Sequence, residues 1–300
     1  MPLQVPATPP LVGAYAATLN GLPLGSGTYY RLIGMTGWFD SASAPLGGAA
    51  SLTPRMQGHG SWPLPYFTPT RVVTMLIAVE APVPYFDGAV SSLAQATQPQ
   101  LDATGMPVEI AVTVQLGGAQ QTAYGSVSSR VIPTIAPDYS NGVAFATVEI
   151  TCSDPRRFGD AVSDSTALPM VSGGLSWPIS WPISWPGTQV SGDVSLYNPG
   201  DVSGPMTLRI DGPCASPTVT HAETGAALVL STDLTVAAGD WLDIDCEART
   251  VLYNGQVSRN GYLTSRGWFG FEPGQNTIGF NSGGYNSSAL LTVTGTPAWI

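Results

Sequence analysis

Between residues 193 and 293 the chain keeps reversing direction. Short runs that alternate apolar and polar residues recur roughly every ten residues, and a turn closes each one. The runs are 193–197, 206–210, 218–221, 226–230, 241–246, 250–253, 277–281 and 289–293. The turns are Asn198-Pro-Gly200, Glu223-Thr-Gly225, Ala238-Gly-Asp240, Asn254-Gly255 and Pro273-Gly274. A period of two broken this often specifies an antiparallel β-sandwich. The first half carries longer runs of the same kind, at 11–20, 29–39, 71–80, 106–116, 121–133 and 143–153, the first closed by the hairpin signal Asn20-Gly21. One helix is expected, capped by Asp87, with Val90, Leu93, Ala94 and Ala96 as its apolar stripe up to about Thr97. Thirty-five glycines and 27 prolines supply turns, and 43% hydrophobic residues supply a core. The chain therefore reads as all-β with one short helix rather than as disordered.

Two segments interrupt this pattern. Residues 41–69 are rich in Gly, Ala, Ser and Pro, yet contain Trp62, Tyr66 and Phe67. A loop of that length is usually functional. An extension that buries these three aromatics against a neighbouring subunit accounts for them, so they are the candidate subunit interface. Residues 176–186 read Ser-Trp-Pro-Ile-Ser-Trp-Pro-Ile-Ser-Trp-Pro. In an extended chain Trp177, Ile179, Trp181, Ile183 and Trp185 share one face. Pro178, Pro182 and Pro186 remove N–H donors from one lateral edge. Trp177, Trp181 and Trp185 are thus candidates for packing between domains. The expected organisation is an N-terminal β domain over 1–172 with the extension 41–69, a Trp-Pro connecting strand over 173–186, and a C-terminal β-sandwich over 187–300.

Charge excludes several partners. Lys and Arg number 10, all of them arginine, against 20 Asp and Glu, for a net charge of -10. With no basic cluster, neither nucleic-acid phosphates nor an anionic membrane is an expected partner. The first twenty residues lack the basic start of a secretory signal and are broken by prolines, and no apolar run is long enough to span a bilayer. The three cysteines are widely spaced, which suits buried free thiols better than a disulfide framework or zinc site.

Catalytic constellations are not evident. His59 and His221 fall in different domains, and neither belongs to a metal-ligand spacing. Asp243 and Asp245 project from one face of a strand, the arrangement of a paired-carboxylate or calcium site, but a solvated face opposite Leu242 and Ile244 explains them as well. Arg249, across the turn, is placed to pair with Asp245. Trp241, Trp268, Phe269, Phe271 and Tyr285 keep sugar stacking open, with core packing as the competing explanation. No catalytic, cofactor-binding or metal-binding residues are assigned, no cofactor is expected, and the chain is not expected to be an enzyme.

The order of turn and packing motifs over 204–300 carries a family resemblance. These are Gly204-Pro, Leu208-Arg-Ile-Asp-Gly-Pro213, Ala238-Gly-Asp-Trp-Leu-Asp-Ile-Asp245, Arg249-Thr-Val-Leu-Tyr-Asn-Gly255, Pro273-Gly-Gln-Asn-Thr-Ile-Gly-Phe280 and Trp299. They resemble the C-terminal half of distal tail proteins (minor tail proteins) of long, non-contractile-tailed bacteriophages. Leu19-Asn-Gly21, the extension, the helix and Asp154-Pro155 resemble the N-terminal half. The Trp-Pro repeat resembles that of phages of actinobacterial hosts. The resemblance implies a β-barrel-like belt domain followed by a galectin-like sandwich. It also implies a homo-hexameric ring at the end of the tail tube, in the tip of the virion, assembled in the host cytoplasm. Implied partners are the tail tube protein, the tape measure protein and other tail-tip hub and receptor-binding proteins. DNA would pass through the channel without specific binding, and no membrane is involved. The alternative is a carbohydrate- or receptor-binding tip protein.

Overall fold

The structure, a computed structural model, describes residues 15–40, 44–45, 52–57, 59, 61–63, 66–116, 119–135, 137–172 and 188–300. It is mostly β-strand and divides into two compact units at Gly159/Asp160.

The first unit is one long antiparallel sheet. Its strands are β1 (Tyr15–Leu19), β2 (Leu22–Leu24), β3 (Tyr30–Thr36), β4 (Arg71–Glu80), β5 (Ile110–Leu116), β6 (Gln120–Val131) and β7 (Val143–Cys152), in the order β2-β1-β5-β6-β7-β4-β3. Asn20 and Gly21 join β1 to β2 with φ of 49° and 79°, as a two-residue hairpin turn requires. Strand β6 serves both halves of the sheet. Its residues 120–125 pair with β5, and 126–131 pair with β7, with a register shift between Val127 and Ser129. An extra residue bends a strand, so the sheet turns its corner there. Among the described residues no ladder joins β2 to β3, so the barrel-like domain is an open sheet and not a closed barrel.

Period-two patterning decides which face is buried. On β4, Val73, Met75, Ile77 and Val79 are buried, and on β7 so are Ala144, Ala146, Val148, Ile150 and Cys152. The register sets Val73 against Ile150, Met75 against Val148 and Ile77 against Ala146. The helix α1 (Val83–Ala96) adds Phe86, Ala89 and Leu93 to this core. Each large apolar side chain buried this way contributes about 1.5–3 kcal/mol. The helix starts four residues before the expected cap at Asp87. Pro82 holds the N-cap position and Pro84 lies in the first turn, where a missing N–H costs nothing.

The second unit is the expected β-sandwich. Its strands are β8 (Val162–Ala167), β9 (Asp193–Asn198), β10 (Met206–Asp211), β11 (Thr218–His221), β12 (Ala227–Leu230), β13 (Trp241–Asp245), β14 (Thr250–Tyr253), β15 (Val257–Ser258), β16 (Leu263–Arg266), β17 (Gly274–Asn281) and β18 (Leu290–Gly295). One sheet has the order β8-β18-β10-β13-β14-β15 and the other β9-β17-β11-β12-β16. Leu208, Ile210, Leu242, Ile244, Leu291 and Val293 of the first sheet share a core with Val194, Val219, Leu228, Ile278 and Phe280 of the second. Phe271 is fully buried in that core.

Residues 160–172 belong to this unit, whereas the sequence reading placed them with the N-terminal domain. Strand β8 pairs along its whole length with β18, from Val162 opposite Gly295 to Ala167 opposite Leu290. The Trp-Pro strand expected over 173–186 lies outside the described residues, and with it Trp177, Trp181 and Trp185.

Candidate assembly surfaces

The extension starts and ends at a fixed point. Gly37 has a φ of 81°, and a Cβ there would stand 1.8 Å from the Val72 carbonyl oxygen, so only glycine fits. Beside it Arg71, 5% exposed, directs its guanidinium at main-chain carbonyls. Its Nη1 donates to the oxygens of Gly37 and Trp38, each at 2.7 Å, and to that of Asp40 at 3.4 Å. Its Nε donates to the oxygen of Pro155 at 2.7 Å. One side chain thus clamps the segment entering the extension to the strand that follows it and to the end of the last strand of the unit. Between these roots run two short hairpin ladders, Ala44–Pro45 with Tyr66–Phe67 and Leu52–Pro54 with Ser61–Pro63. Trp62, Tyr66 and Phe67 stand on these ladders, and their side chains lie outside what the structure describes.

The outer face of the same sheet sets exposed apolar side chains among polar ones such as Thr74 and Glu149. Val72 and Leu76 of β4, Phe145 of β7 and Ile33 of β3 are each 37–46% exposed. The register places Thr147 opposite Leu76 and Thr151 opposite Val72. Arg31 and Glu80 form an exposed ion pair at one end. Strand β3 is an edge, its outer side unpaired among the described residues. Two open grooves of about 400 Å³ each flank this edge and the roots of the extension, one lined by residues 32–40 with Val114 and the other by Thr36, Gly37, Asp40, residues 68–72 and Pro155. Alternation along β4 and β7 carries the signal for this face, since Val72, Leu76 and Phe145 are apolar at the outward positions.

The sandwich holds the candidate chemistry of the sequence and disperses it. Asp243 accepts the indole N–H of Trp241 at 2.8 Å and lies 4.0 Å from Arg209, whose guanidinium covers the Trp241 ring at 4.5 Å and pairs with Asp211 at 3.0 Å. Asp245 accepts the backbone N–H groups of Glu247 and Ala248, and so closes the turn itself. The expected Arg249–Asp245 pair does not form; Arg249 instead occupies the turn with a φ of 55°. Phe269 and Phe271 are buried, Trp268 packs against the core, and the exposed Tyr285 donates to the sulfur of Met170. One face of Trp241 is thus covered by the Arg209 guanidinium.

His221 is fully buried, with Nε2 2.9 Å from Asn276 Oδ1. The Asn276 amide donates to the carbonyls of Glu272 and Gly274, which leaves its Oδ1 to accept from the histidine. His221 Nδ1 in turn accepts the Thr224 N–H at 3.3 Å. The histidine is a crosspiece within the core, and His59 is exposed on the extension. Among the described residues no three His, Cys, Asp or Glu side chains converge as a metal site requires. All three cysteines are buried free thiols, as expected. No described helix is long and apolar enough to cross a membrane.

Comparison with known proteins gives a consistent neighbourhood. Residues 200–299 match the family model for the siphovirus-type tail component, C-terminal domain. No curated protein matches the chain in sequence. The structure is similar to the crystal structure of the SPP1 Dit protein (gp 19.1), described as a paradigm of the hub adsorption apparatus in Gram-positive infecting phages. That similarity has a TM-score of 0.64 at 11% identity and covers 96% of this chain and 100% of the other. Chains of the phage P2 baseplate in its activated conformation, with Ca or Sr, align at TM-scores of 0.47 and 0.46 and 8% identity, over 94% and 93% of this chain and 97% of each. The C-terminal sandwich thus matches a siphovirus-type tail component, and the chain over nearly its full length shares its fold with a phage Dit hub protein.

Proposed function

We propose that this protein is a structural hub of a phage tail tip, six copies of which close into a ring at the distal end of the tail tube and anchor other tip proteins. The observation that carries the reading is the match of residues 200–299 to a siphovirus-type tail component. The N-terminal unit builds the ring. Its apolar outer face, with Val72, Leu76, Phe145 and Ile33, is an uneconomical surface for a free monomer and a suitable one for a neighbouring copy. A head-to-tail contact of this kind closes into a ring when the rotation fits. The extension, rooted by Arg71, reaches the next copy and places Trp62, Tyr66 and Phe67 there. The partners are the tail tube and tape measure proteins on one side and hub and receptor-binding proteins on the other. An acidic chain with few arginines lets DNA slide through the channel without gripping its phosphates. The protein turns over no substrate in this role. The Trp-Pro repeat is the ground for an actinobacterial host.

Sedimentation of the purified protein tests this reading. The expected species has six times the mass of the chain, and antibody labelling of virions marks the tail tip. Deleting residues 41–69 is expected to give soluble monomers with a folded sandwich. A wild-type monomer that labels no tail tip rejects the hub. A deletion variant that still sediments as the full oligomer rejects the extension as the belt.

A further inference from the structure

Several guanidiniums of this chain lie over aromatic rings, and their partners differ. Arg156 lies over Phe158 and pairs with Asp154. Arg209 lies over Trp241 and pairs with Asp211. Arg259 lies over two rings, those of Tyr253 and Tyr262, with 5.4 Å to each centroid. Its Nε is shut off from solvent and has no hydrogen-bond acceptor. Among the described residues no carboxylate reaches it within ion-pair distance, although the chain carries 20 acidic residues.

The surrounding backbone fixes this guanidinium. The Arg259 N–H donates to the Val251 carbonyl at 2.8 Å, and the Arg259 carbonyl accepts from Tyr262 at 2.9 Å. Asn260 locks the same turn, its amide donating to the Arg249 carbonyl at 2.9 Å. Tyr253 and Tyr262 are themselves packed against the sandwich core. With two rings against the guanidinium and Nε enclosed, the terminal nitrogens are the groups left to bind a partner. An arginine held this way has already lost much of its hydration and rotamer freedom, which lowers the cost of binding a planar anion. Immediately before it runs β15, the edge strand of its sheet, with both residues exposed and its outer side unpaired among the described residues.

We propose that Arg259 and the β15 edge form a docking site for an extended acidic segment of another protein. A carboxylate of that segment takes the place that Asp154 and Asp211 fill at Arg156 and Arg209, and its backbone adds to β15. A single carboxylate suits the site better than a dianionic phosphate. Asp240, held by the Tyr253 hydroxyl at 2.7 Å and the Asn254 amide at 2.8 Å, keeps a negative charge beside Tyr253. The inference does not depend on the tail-hub reading.

The test uses the full-length protein and a fluorescein-labelled peptide of alternating valine and glutamate, followed by anisotropy. Saturable binding is expected, weakened about tenfold or more in Arg259→Gln. Arg259→Lys is expected to recover only part of it, because an ammonium cannot fork. A valine–glutamine peptide is expected to bind as weakly as the variant. Circular dichroism and melting temperature of both variants establish that they remain folded. Absence of saturable binding to the folded wild type at millimolar peptide overturns the proposal. So does equal binding by Arg259→Gln, and so does full competition by inorganic phosphate at the peptide's own affinity, which would make the site a free-anion site.

Discussion

Replacing Arg71 by methionine should unfold the N-terminal unit at much lower denaturant while leaving the sandwich intact. Methionine keeps the stem buried and removes every donor. The carbonyls of Gly37, Trp38 and Pro155 then each lose a bond of 2.7 Å from a charged donor. Such bonds are worth about 1.5–3 kcal/mol each. The sum is reduced because the variant no longer buries a guanidinium, so a net loss of about 3–5 kcal/mol is expected. With an m-value of roughly 2 kcal/mol per molar urea, the midpoint of this unit should fall by about 2 M. Urea unfolding followed by hydrogen-exchange mass spectrometry separates the units. Peptides from β4 and β7 should lose protection first, and peptides from β10 and β13 should not move. Arg71→Lys should recover less than half of the loss, since one ammonium cannot span these carbonyls. A midpoint shift below about 0.5 M in Arg71→Met would refute the clamp.

The remaining expectations concern the sandwich and the thiols. Gly295→Ala places a methyl 2.7 Å from the Phe271 ring, so it should lower stability by about 1–3 kcal/mol, read as a lower melting temperature of the second unit. Burial raises the thiols of Cys152 and Cys214 to about 11 and that of Cys246 to about 12, from 9.0. All three should resist a thiol reagent at pH 8 until the protein is denatured. Their folded values lie above the unfolded one, so the stability they confer is complete below about pH 9 and is lost as pH rises toward 11–12, at about 1.4 kcal/mol per pH unit per thiol; a flat stability profile across pH 9–10.5 contradicts this. A fragment of residues 160–300 should melt well above one of residues 187–300, which lacks β8 and the buried Leu168, worth about 1.5–3 kcal/mol alone; equal melting would return the boundary to the Trp-Pro segment. Asp243→Asn with Asp245→Asn should cost under about 1 kcal/mol per site in urea unfolding, since the carboxylates are partly exposed and asparagine keeps an acceptor oxygen.

Local chemistry was readable in the sequence and long-range pairing was not. The Asn20-Gly21 turn, the alternation of β4 and β7 and the sandwich strands β9 to β14, β17 and β18 follow from residue type and spacing. The helix start was readable too, because Pro82 and Pro84 mark a first turn, but Asp87 offered a competing cap. Strand β8, by contrast, reads Val-Ser-Asp-Ser-Thr-Ala and is mostly exposed, so nothing in it announces a partner far along the chain. Arg71 stands within an apolar run, and the four carbonyls it holds come from segments 31–84 residues away. The outward Val72, Leu76 and Phe145 were visible as apolar residues, but their exposure depends on the sheet leaving that face uncovered. Arg259 gave no sequence signal, because its two tyrosines become neighbours only when the chain doubles back after β15.

The pairing of β8 with β18 also orders events during synthesis. The two strands are about 130 residues apart in sequence, and β18 is the last strand of its sheet to be made. By the time β8 leaves the ribosome, the seven strands β1 to β7 are already available to pair. The sandwich has no such chance until β18 is made, because β18 lies between β8 and β10 in its sheet. The N-terminal sheet can therefore pair on a shorter length of growing chain, whereas the first sheet of the sandwich must wait for its last strand. Any partner that recognises the closed sandwich will ignore nascent chains that stop short of β18.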